Sequence, residues 1–475
     1  MQISTNFKIV PKLRYLAMLF EEAGYEFYFV GGFVRDTLMQ STSKDIDVAT
    51  NAQPETIKQL LREGLREDIT ALYTVGEKYG TIGVKLGSLN IEITTYRTEQ
   101  YEDGSRHPEV QFGSSLEEDL SRRDFTINAI ACDKDANIVD PFGGINDIKE
   151  GLVKFVGTPK ERIKEDPLRL IRAIRFASRF GFRLGILTKS TIQVYAMDIE
   201  EVSKERIRDE VSKMLVQEEP SRAIRMLKEN RLLQYIMKEV DRLDTVEQIS
   251  PYHYEDAFEH TMRVLDESLG LIEIRLAALL HDTGKWATVE YINHEEHGEM
   301  TTFHGHEQFS AKYAHRLLHR LRFPHVTVNR VTHLVACHMR PLQLYNEIDA
   351  GHEPSRKAIR RFIKACHLNE IVQVEDVLEL NRADMAGHAR PNMDNWRKLS
   401  ELVSEARKED TFQPEEAKSP LDGNEIMEIF GEKQGPGPWI GATKGHLTNL
   451  VIDGEIEAND KEAAKKAARE FWDTQ

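Results

Sequence analysis

Two aspartates, Asp45 and Asp47, are the first residues in this 475-residue chain whose types and spacing suggest chemistry. They lie in a strand-like apolar run, and alternate residues of a strand project from one face, so both carboxylates should point the same way. Two charges held that close need a cation, and Mg²⁺ binds one or two carboxylates together with water and substrate phosphates. Gly31 and Gly32 precede the pair, and their backbone amides can approach a phosphate without interference from a side chain. These features predict phosphoryl or nucleotidyl transfer.

The order of the motifs is more informative than any motif alone. An Asp-x-Asp pair is often only a strand end with a solvated face, and Gly-Gly is often only a turn. Here the glycine pair, then Arg35 with Asp36, then the aspartate pair follow one another within about twenty residues. In this order the stretch resembles the class II nucleotidyltransferases, the superfamily of tRNA CCA-adding enzymes and bacterial poly(A) polymerases. The resemblance implies that the aspartates bind Mg²⁺ and that the glycines and Arg35 hold a nucleoside triphosphate.

A second motif joins Arg122, Arg123 and Asp124 to Asn128, about one helical turn later. We expect Arg123, Asp124 and Asn128 to converge on one ligand from a helix. Arginine suits a triphosphate through forked hydrogen bonds, whereas Asp and Asn suit ribose hydroxyls. The alternative is an amphipathic helix with exposed charges. Arg-Arg-Asp-x-x-x-Asn-Ala is the second signature of the family that the chain resembles, and it is complete here.

A third motif begins at Glu165 and Asp166 and continues through Arg169 to Arg172, on a basic helix expected to hold Pro167 in its first turn. An Asp and an Arg side by side offer acceptors and donors to the edge of a base, although the same spacing suits a structural ion pair. In the family that the chain resembles, this Asp and Arg select CTP or ATP without a nucleic-acid template.

A fourth segment, residues 205–210, also resembles a family motif and is expected to brace the region around the third one. The resemblance thus covers roughly residues 28–215. If the strand order is that of the family, Glu92 lies beside the aspartate strand as a third catalytic carboxylate; the alternative is a solvated strand residue. The polar stretch 97–108 is expected to be a loop. Members of the family that add only CC lack much of this loop, so the resemblance favours addition of CCA, or of A alone.

The second half of the chain contains a different set of chemically active residues. His281 and Asp282 follow the apolar run 277–280, and a buried His-Asp pair needs partners that packing does not supply. Imidazole and carboxylate ligands suit a divalent transition metal that activates water. With His260 and Asp384, the pair resembles the HD phosphohydrolase superfamily.

The HD resemblance adds His306 and His338 as the extra ligands of dinuclear members. In CCA-adding enzymes with such a domain it implies phosphatase and 2′,3′-cyclic phosphodiesterase activity on RNA ends. The alternative is a degenerate HD fold kept as an RNA-binding body.

Composition limits the choice of partners and location. The net charge of −16 means that an RNA partner needs a local basic surface, such as the arginine run from Arg169 to Arg183, because phosphate contacts dominate nucleic-acid affinity. Three cysteines without a C-x-x-C spacing fit a reducing compartment. No secretory signal and no long apolar run is evident, so a cytoplasmic protein without a membrane partner is expected.

The elements that position these residues follow from the sequence pattern. Helices are predicted over 11–24 and 54–62, and strands over 26–30, 45–49, 80–86 and 89–96. The predicted fold is an α+β nucleotidyltransferase head with a mixed sheet over residues 1–145, followed by all-α parts. These are a neck over 146–235, an HD body over 236–408 and a tail over 409–475.

The sequence therefore predicts a CCA-adding tRNA nucleotidyltransferase that uses CTP, ATP and Mg²⁺, with a second divalent transition metal expected in the HD domain. Addition of CC or A alone stays open. So does a metal-dependent HD phosphohydrolase whose head only senses nucleotides. A noncatalytic RNA-binding protein fits poorly with two sets of metal-type ligands, and the sequence leaves the oligomeric state open.

Overall fold

The computed structural model describes residues 10–41, 45–100, 109–112, 115–249, 256–294, 298–388, 393–409, 417–430 and 436–473. The chain divides into two compact units. The first contains Met1–Met214 and Arg222–Ile236, and the second contains Leu215–Ser221 and Met237–Gln475. The division into head, neck, body and tail stays a prediction. Among the described residues, no helix is long and apolar enough to cross a membrane.

A mixed sheet forms the centre of the first unit. Its strands, in chain order, are β1 (Phe27–Val30), β2 (Asp45–Thr50), β3 (Ile69–Tyr73), β4 (Thr81–Leu86), β5 (Leu89–Thr95), β8 (Ala131–Cys132) and β9 (Ile138–Val139). Strands β6 (Arg97–Gln100) and β7 (Glu109–Phe112) form a separate hairpin. The spatial order is β3-β4-β5-β2-β1-β8-β9. Strands β2 and β5 are parallel and the other neighbours are antiparallel, which confirms the predicted mixed sheet.

The sequence predictions for the strands of the first unit need correction. Strand β3 was not predicted, because its alternation is weak and none of its residues is fully buried, and β8 and β9 were not predicted because each has only two residues. Residues 97–100, expected in a loop, pair with β7 through backbone hydrogen bonds. Residues 101–108 of that expected loop lie outside the described residues.

Helices cover the sheet and extend the first unit beyond it. Leu13, Leu16, Ala17 and Phe20 recur at helical spacing and are all buried, which explains why the first helix packs where it does. The helices are α1 (Pro11–Glu22), α2 (Gly32–Leu38), α3 (Pro54–Gly64), α4 (Leu116–Ser121), α5 (Gly144–Glu150), α6 (Pro159–Glu165), α7 (Arg169–Phe180), α8 (Ile186–Val194), α9 (Lys204–Leu215), α10 (Pro220–Glu229) and α11 (Leu233–Ile236). A short parallel pair, β10 (Leu152–Val153) and β11 (Arg183–Leu184), lies between them.

The second unit is helical apart from one hairpin, β12 (Glu290–His294) with β13 (Gly298–Thr302). Its helices are α12 (Lys238–Asp241), α13 (Ala257–Glu267), α14 (Ile272–Leu280), α15 (Lys285–Thr288), α16 (His306–Arg320), α17 (His325–Cys337), α18 (Pro341–Asp349), α19 (Arg356–Cys366), α20 (Val374–Ala386), α21 (Asp394–Glu409), α22 (Gly423–Phe430), α23 (Pro438–Ile452) and α24 (Lys461–Asp473). Residues 274–280 of α14 are all buried, so this helix lies in the interior.

Candidate active site and metal centre

One polar cleft of about 500 Å³ in the first unit collects the residues predicted to bind a nucleotide. Elements distant in sequence contribute to it: the turn after β1, strand β2, the segment after α4, and helix α7. Its polar and glycine lining consists of Gly31, Gly32, Arg35, Asp47, Thr94, Arg122, Arg123, Asp124, Asn128, Asp166, Arg169, Arg172, Arg175 and Arg179. The structure thus brings all three cleft motifs of the sequence to one place.

The acidic side of the site is set by strand register. Strands β2 and β5 run parallel with Asp47 directly beside Glu92 and Asp45 beside Asn90, whose Nδ2 donates to Asp45 Oδ1 at 3.1 Å. Burial raises the pKa of Asp47, and burial with the charges of both aspartates raises the pKa of Glu92. Asp45 and Glu92 are exposed and do not line the cleft itself. This concentration of negative charge on one sheet face fits a bound cation.

The glycine pair allows this acidic side to meet the basic side. Gly31 has φ of +68°, and a Cβ there would lie 2.8 Å from an Arg123 Nη1 atom and 3.0 Å from Asp47 Oδ2. The Gly31 amide donates to the carbonyl of Ile130 at 3.3 Å, and the Gly32 amide donates to the Asp47 carboxylate. In this structure the glycines therefore permit close approach and orient Asp47, whereas the predicted phosphate contact stays a prediction.

The expected single helix for the second motif is wrong. Helix α4 ends at Ser121, and Asn128 lies in a separate helical turn, Thr126–Asn128. The backbone leaves the helix because the Phe125 amide donates to the Asp124 side chain at 2.8 Å and the Thr126 amide donates to the Lys154 carbonyl at 3.0 Å. Even so, Asn128 Nδ2 donates to Asp124 Oδ1 at 2.9 Å, so the motif converges through tertiary structure.

Asp124 is a carboxylate at the wall of the cleft that accepts hydrogen bonds on both of its oxygens. Arg172 donates to its Oδ2 from Nε at 3.0 Å and from Nη2 at 2.6 Å. Burial alone would raise the pKa of Asp124, but the Arg172 guanidinium and the Asn128 amide hold it below its ordinary value. Asp124 therefore links the second motif to helix α7.

Arg35 borders the cleft, but most of its side chain is buried. It forms an ion pair with Asp36 at 2.6 Å, donates to Asn128 Oδ1, and lies over the rings of Phe176 and Phe180. Burial lowers its pKa, although Asp36 opposes this shift. The Arg35 guanidinium therefore holds Asp36 and Asn128 in place at the wall of the cleft.

Asp166 and Arg169 do not form the ion pair that their spacing permits. Helix α7 begins at Arg169, so Pro167 precedes the helix instead of standing in its first turn. Arg206 of α9 donates to both oxygens of Asp166, at 3.1 and 2.7 Å. Arg169 donates to Glu165 at 2.6 Å and to the Arg122 carbonyl at 3.1 Å. Each member is held separately, and both face the cleft.

The fourth motif fits its expected bracing role. Glu210 of α9 is buried and accepts from Arg175 at 2.5 Å, with Arg172 at 3.6 Å. Arg206 belongs to the same motif, but nothing in its spacing indicated that it would donate hydrogen bonds to Asp166. That contact joins residues forty positions apart and is decided by packing.

A compact metal-type cluster lies in the second unit. His260 Nε2 is 3.0 Å from Asp384 Oδ1, His281 Nε2 is 3.2 Å from Asp282 Oδ2, and His306 Nε2 is 3.2 Å from Asp282 Oδ1. Helices α13 and α20 and the ends of α14 and α17 converge to place them. All six residues predicted from the HD resemblance, including His338, are therefore together.

The hydrogen bonds of the histidines fit metal ligation. The Nδ1 atoms of His281, His306 and His338 lie 2.7 to 2.9 Å from the backbone carbonyls of Ala278, Phe303 and Val335, which directs each Nε2 into the centre. His306 Nε2 and His338 Nε2 are only 3.2 Å apart. Two lone pairs facing each other at that distance are unfavourable unless a proton or a metal ion joins them.

The pKa values of the histidines in this cluster are shifted in both directions. Burial would lower the pKa of His281, but the carboxylates of Asp282 and Asp384 raise it to about 10. Burial and the neighbouring His306 and His281 lower the pKa of His338 to about 3. Lys285 Nζ lies 2.7 Å from Asp282 Oδ2 and donates to Gln248 at 2.6 Å, so Asp282 has a fixed cationic partner as well.

The sequence reasoning missed one residue of this cluster. His388 forms a possible ligand group with His260 and Asp384, and its Nε2 is 3.9 Å from Asp384 Oδ1. The sequence could have indicated His388, since it lies four positions after Asp384 and this spacing places two residues on the same face of a helix. In the described part of the chain, the groups of three or more His, Cys, Asp or Glu residues whose ligand atoms all lie within 4.8 Å of one another are the three in this cluster.

Comparison with protein families gives three successive matches. Residues 27–154 match the Poly A polymerase head domain, residues 181–243 match the probable RNA and SrmB-binding site of polymerase A, and residues 257–384 match the HD domain.

Curated relatives include a CCA-adding enzyme of Anoxybacillus flavithermus, 40% identical over 48% of this chain and 56% of the relative, and one of Bacillus pumilus, 39% identical over 55% and 64%. This chain thus spans between about half and two thirds of their length.

Solved structures are similar over nearly the whole chain. The Bacillus stearothermophilus CCA-adding enzyme in complex with CTP is 26% identical, with a TM-score of 0.65 over 98% of this chain and 99% of that chain. The Thermotoga maritima CCA-adding enzyme complexed with tRNA is 18% identical with a TM-score of 0.56 over 98% and 97%, and supports the fold alone. The motifs, their geometry and these similarities together mean that this chain contains a poly(A) polymerase head domain, followed by the RNA-binding region of that polymerase and by an HD domain in its second half.

Proposed function

We propose that this protein adds CCA to the 3′ end of tRNA, using CTP and ATP without a nucleic-acid template. The observation that carries the proposal is the single cleft in which the acidic strand β2, the Arg123 motif and the Asp166 motif meet. The similarity to an enzyme in complex with CTP supports the same substrate class. The RNA partner is tRNA, and the cytoplasmic location predicted from the sequence agrees with it.

The residues present fit Mg²⁺ as the metal of this site. Asp45 and Asp47 would hold it from β2, with Glu92 beside Asp47 on the parallel strand β5, because burial disfavours the charge on Asp47 and the neighbouring carboxylates repel one another. When bound, Mg²⁺ supplies stabilisation of the negative charge that develops on the transferring phosphate and its leaving group.

The chain's own side chains position the nucleotide. Arg123 would hold the triphosphate through forked hydrogen bonds, next to the glycine turn that lets it approach Asp47. Asp124 and Asn128 would bind the ribose, held in place by Arg172. Asp166 and Arg169 would read the base, since both face the cleft with separately anchored side chains.

The test offers tRNA ending at the discriminator base, at C or at CC, with CTP and ATP supplied separately. CTP should extend the first two substrates and ATP only the third, and a sequencing gel separates the products. Extension by CTP alone or by ATP alone would show a CC-adding or an A-adding enzyme instead. Release of phosphate without polymerisation would favour a phosphohydrolase with a nucleotide-sensing head.

The matched control replaces the metal carboxylates with Asp45→Ala and Asp47→Ala together. If this variant incorporated CTP and ATP as the wild type does, the proposed function would be wrong. Measuring the thermal transition of the variant separates loss of chemistry from loss of folding.

The second unit supports a second candidate activity, hydrolysis of phosphate esters at RNA ends. The observation that favours it is the pair of Nε2 atoms of His306 and His338, held 3.2 Å apart by backbone-bonded Nδ1 atoms. His260, His281, Asp282 and Asp384 complete a donor set suited to a divalent transition metal. RNA ending in a 2′,3′-cyclic phosphate, incubated with Mn²⁺, Co²⁺ or Ni²⁺, should be opened by the wild type and not by the His281→Ala variant. Equal rates for the two proteins would contradict it.

A further inference from the structure

The search for further sites leads to His388, at the solvent side of the metal centre in the second unit. Helix α20 carries Asp384 and ends at Ala386, and His388 follows one residue after the C-cap position, Gly387. The ring of His388 is tilted against that of His260, with centroids 5.3 Å apart. Its side chain is 32% exposed, whereas that of His260 is 2% exposed. His388 therefore lies at the entrance of a centre whose other histidines are buried.

The ligand groups of the centre form a row. An inner group consists of Asp282, His306 and His338, and a central group consists of His260, His281 and Asp282. An outer group consists of His260, Asp384 and His388. Asp282 belongs to the inner and central groups and His260 to the central and outer groups, whereas the inner and outer groups have no residue in common, so each of these two can hold its own ion. Within each group the ligand atoms lie within 4.8 Å of one another.

We infer that His388 is a metal ligand of an outer position, held with His260 and Asp384, through which a phosphate ester enters the centre. The inner group is closed on all sides by buried side chains, as expected for a tightly held ion. The outer group has three protein ligands and a partly exposed side, which is the arrangement that leaves a coordination position open for water or substrate.

The chemistry of the ligands identifies the class of substrate. Two ions held in one centre suit the attacking and leaving oxygens of a phosphate ester. Lys285, at 2.7 Å from Asp282, is buried, whereas the outer group is partly exposed, so an anionic substrate meets the open coordination position before it meets this charge. The inference rests on the proposed hydrolytic activity of the second unit, and extends it by assigning the outer ligand and the side of entry.

The experiment measures binding of Mn²⁺ to the full-length chain by equilibrium dialysis. The background carries Asp45→Ala and Asp47→Ala, so that the first unit contributes no ion. His388→Gln should weaken one class of Mn²⁺ sites by about 10- to 100-fold and leave the other class unchanged, while His338→Gln should weaken the other class. His315→Gln, an exposed histidine of α16, is the matched control and should change neither.

A carboxylate at the same position separates ligation from packing. His388→Glu provides an oxygen ligand and should recover part of the Mn²⁺ affinity lost in His388→Gln, which a purely structural role would not do. Mn²⁺ binding by His388→Gln identical to that of the background protein would overturn the inference. If the background protein itself bound no Mn²⁺, the proposed hydrolytic centre would fail first, so the two failures are distinguishable.

Discussion

The nucleotide cleft of the first unit and the metal centre of the second unit use acidic residues in opposite ways. In the cleft, Asp47 and Glu92 stand side by side in strand register, and their pKa values are raised. In the metal centre, Asp282 and Asp384 are buried, but histidines and Lys285 hold their pKa values well below the ordinary range. The carboxylates of the cleft lack a sufficient cationic partner, whereas the carboxylates of the metal centre already have several.

This difference is the one expected from the ligands proposed for the two sites. A nucleotide brings its own phosphate oxygens to Mg²⁺, so the protein needs only a few carboxylates and a wide polar cleft. A transition metal that activates water must be held by the protein, with second-sphere hydrogen bonds fixing each histidine. The backbone carbonyls that accept from His281, His306 and His338 do this, and no equivalent fixation is needed for the exposed Asp45 and Glu92.

Asp282→Ala is expected to have the largest effect among the variants that test this comparison. Removing this carboxylate leaves Lys285 and His281 buried without their main partner, and breaking a buried pair costs about 3–5 kcal/mol. We expect a large fall in the free energy of unfolding of the second unit, measured by denaturant titration after metal chelation. Asp394→Ala is the matched control, because its ion pair with Arg397 is exposed and is expected to change stability by less than about 1 kcal/mol. Equal effects would mean that the Asp282 contacts carry no net stability.

Gly31→Ala tests whether close packing organises the cleft. The added Cβ would displace Arg123 and Asp47, and a misplacement of about 1 Å can cost roughly 10²-fold in rate. Gly87→Ala has a similar positive φ of +65° but nothing within 4 Å of the added Cβ, so it shares the backbone cost without the clash. We expect CTP incorporation to fall in the first variant and to be unchanged in the second. A parallel fall in both would assign the effect to backbone strain.

Arg172→Lys tests the support of Asp124. Lysine keeps the charge but loses the two parallel hydrogen bonds to Asp124, so Asp124 and Asn128, which we propose bind the ribose, should be less well oriented. A rise of about 10-fold in KM for CTP is expected, in keeping with the loss of one hydrogen bond to a charged group. Arg183→Lys, at an exposed position on β11, serves as the control in the same steady-state assay.

The smallest effect concerns stability and its pH dependence. Because the folded-state pKa of Asp47 is raised, its charged form costs stability above that pKa, and the cost disappears as pH falls through it. Asp47→Asn should therefore raise the free energy of unfolding without Mg²⁺, by about 0.5 kcal/mol, while incorporation is lost. The gain should shrink as pH is lowered from neutral towards the ordinary pKa of an aspartate, about 4, as followed by thermal unfolding. A gain that grew at low pH would contradict the assigned direction.

Much of both sites was predictable because the relevant residues are close in sequence. The aspartate pair, the Arg123 motif and the His281-Asp282 pair each carry their chemistry within a few residues. Contacts between distant segments were not predictable: the grip of Arg206 on Asp166, the Arg172 fork on Asp124 and the position of His388. Strand β3 was missed for a related reason, since its pattern of burial is too weak to give a clear alternation.

The sequence by itself determined the ligand types, the order of the motifs and the mixed sheet with its helical continuation, because side-chain chemistry and hydrophobic periodicity are local properties. Only the tertiary structure decided which charges neutralise one another. It separated Asp166 from Arg169, placed Glu92 in register with Asp47, and enclosed His338 against His306. Those outcomes depend on burial and on distances between elements, and these exist only after the chain has folded.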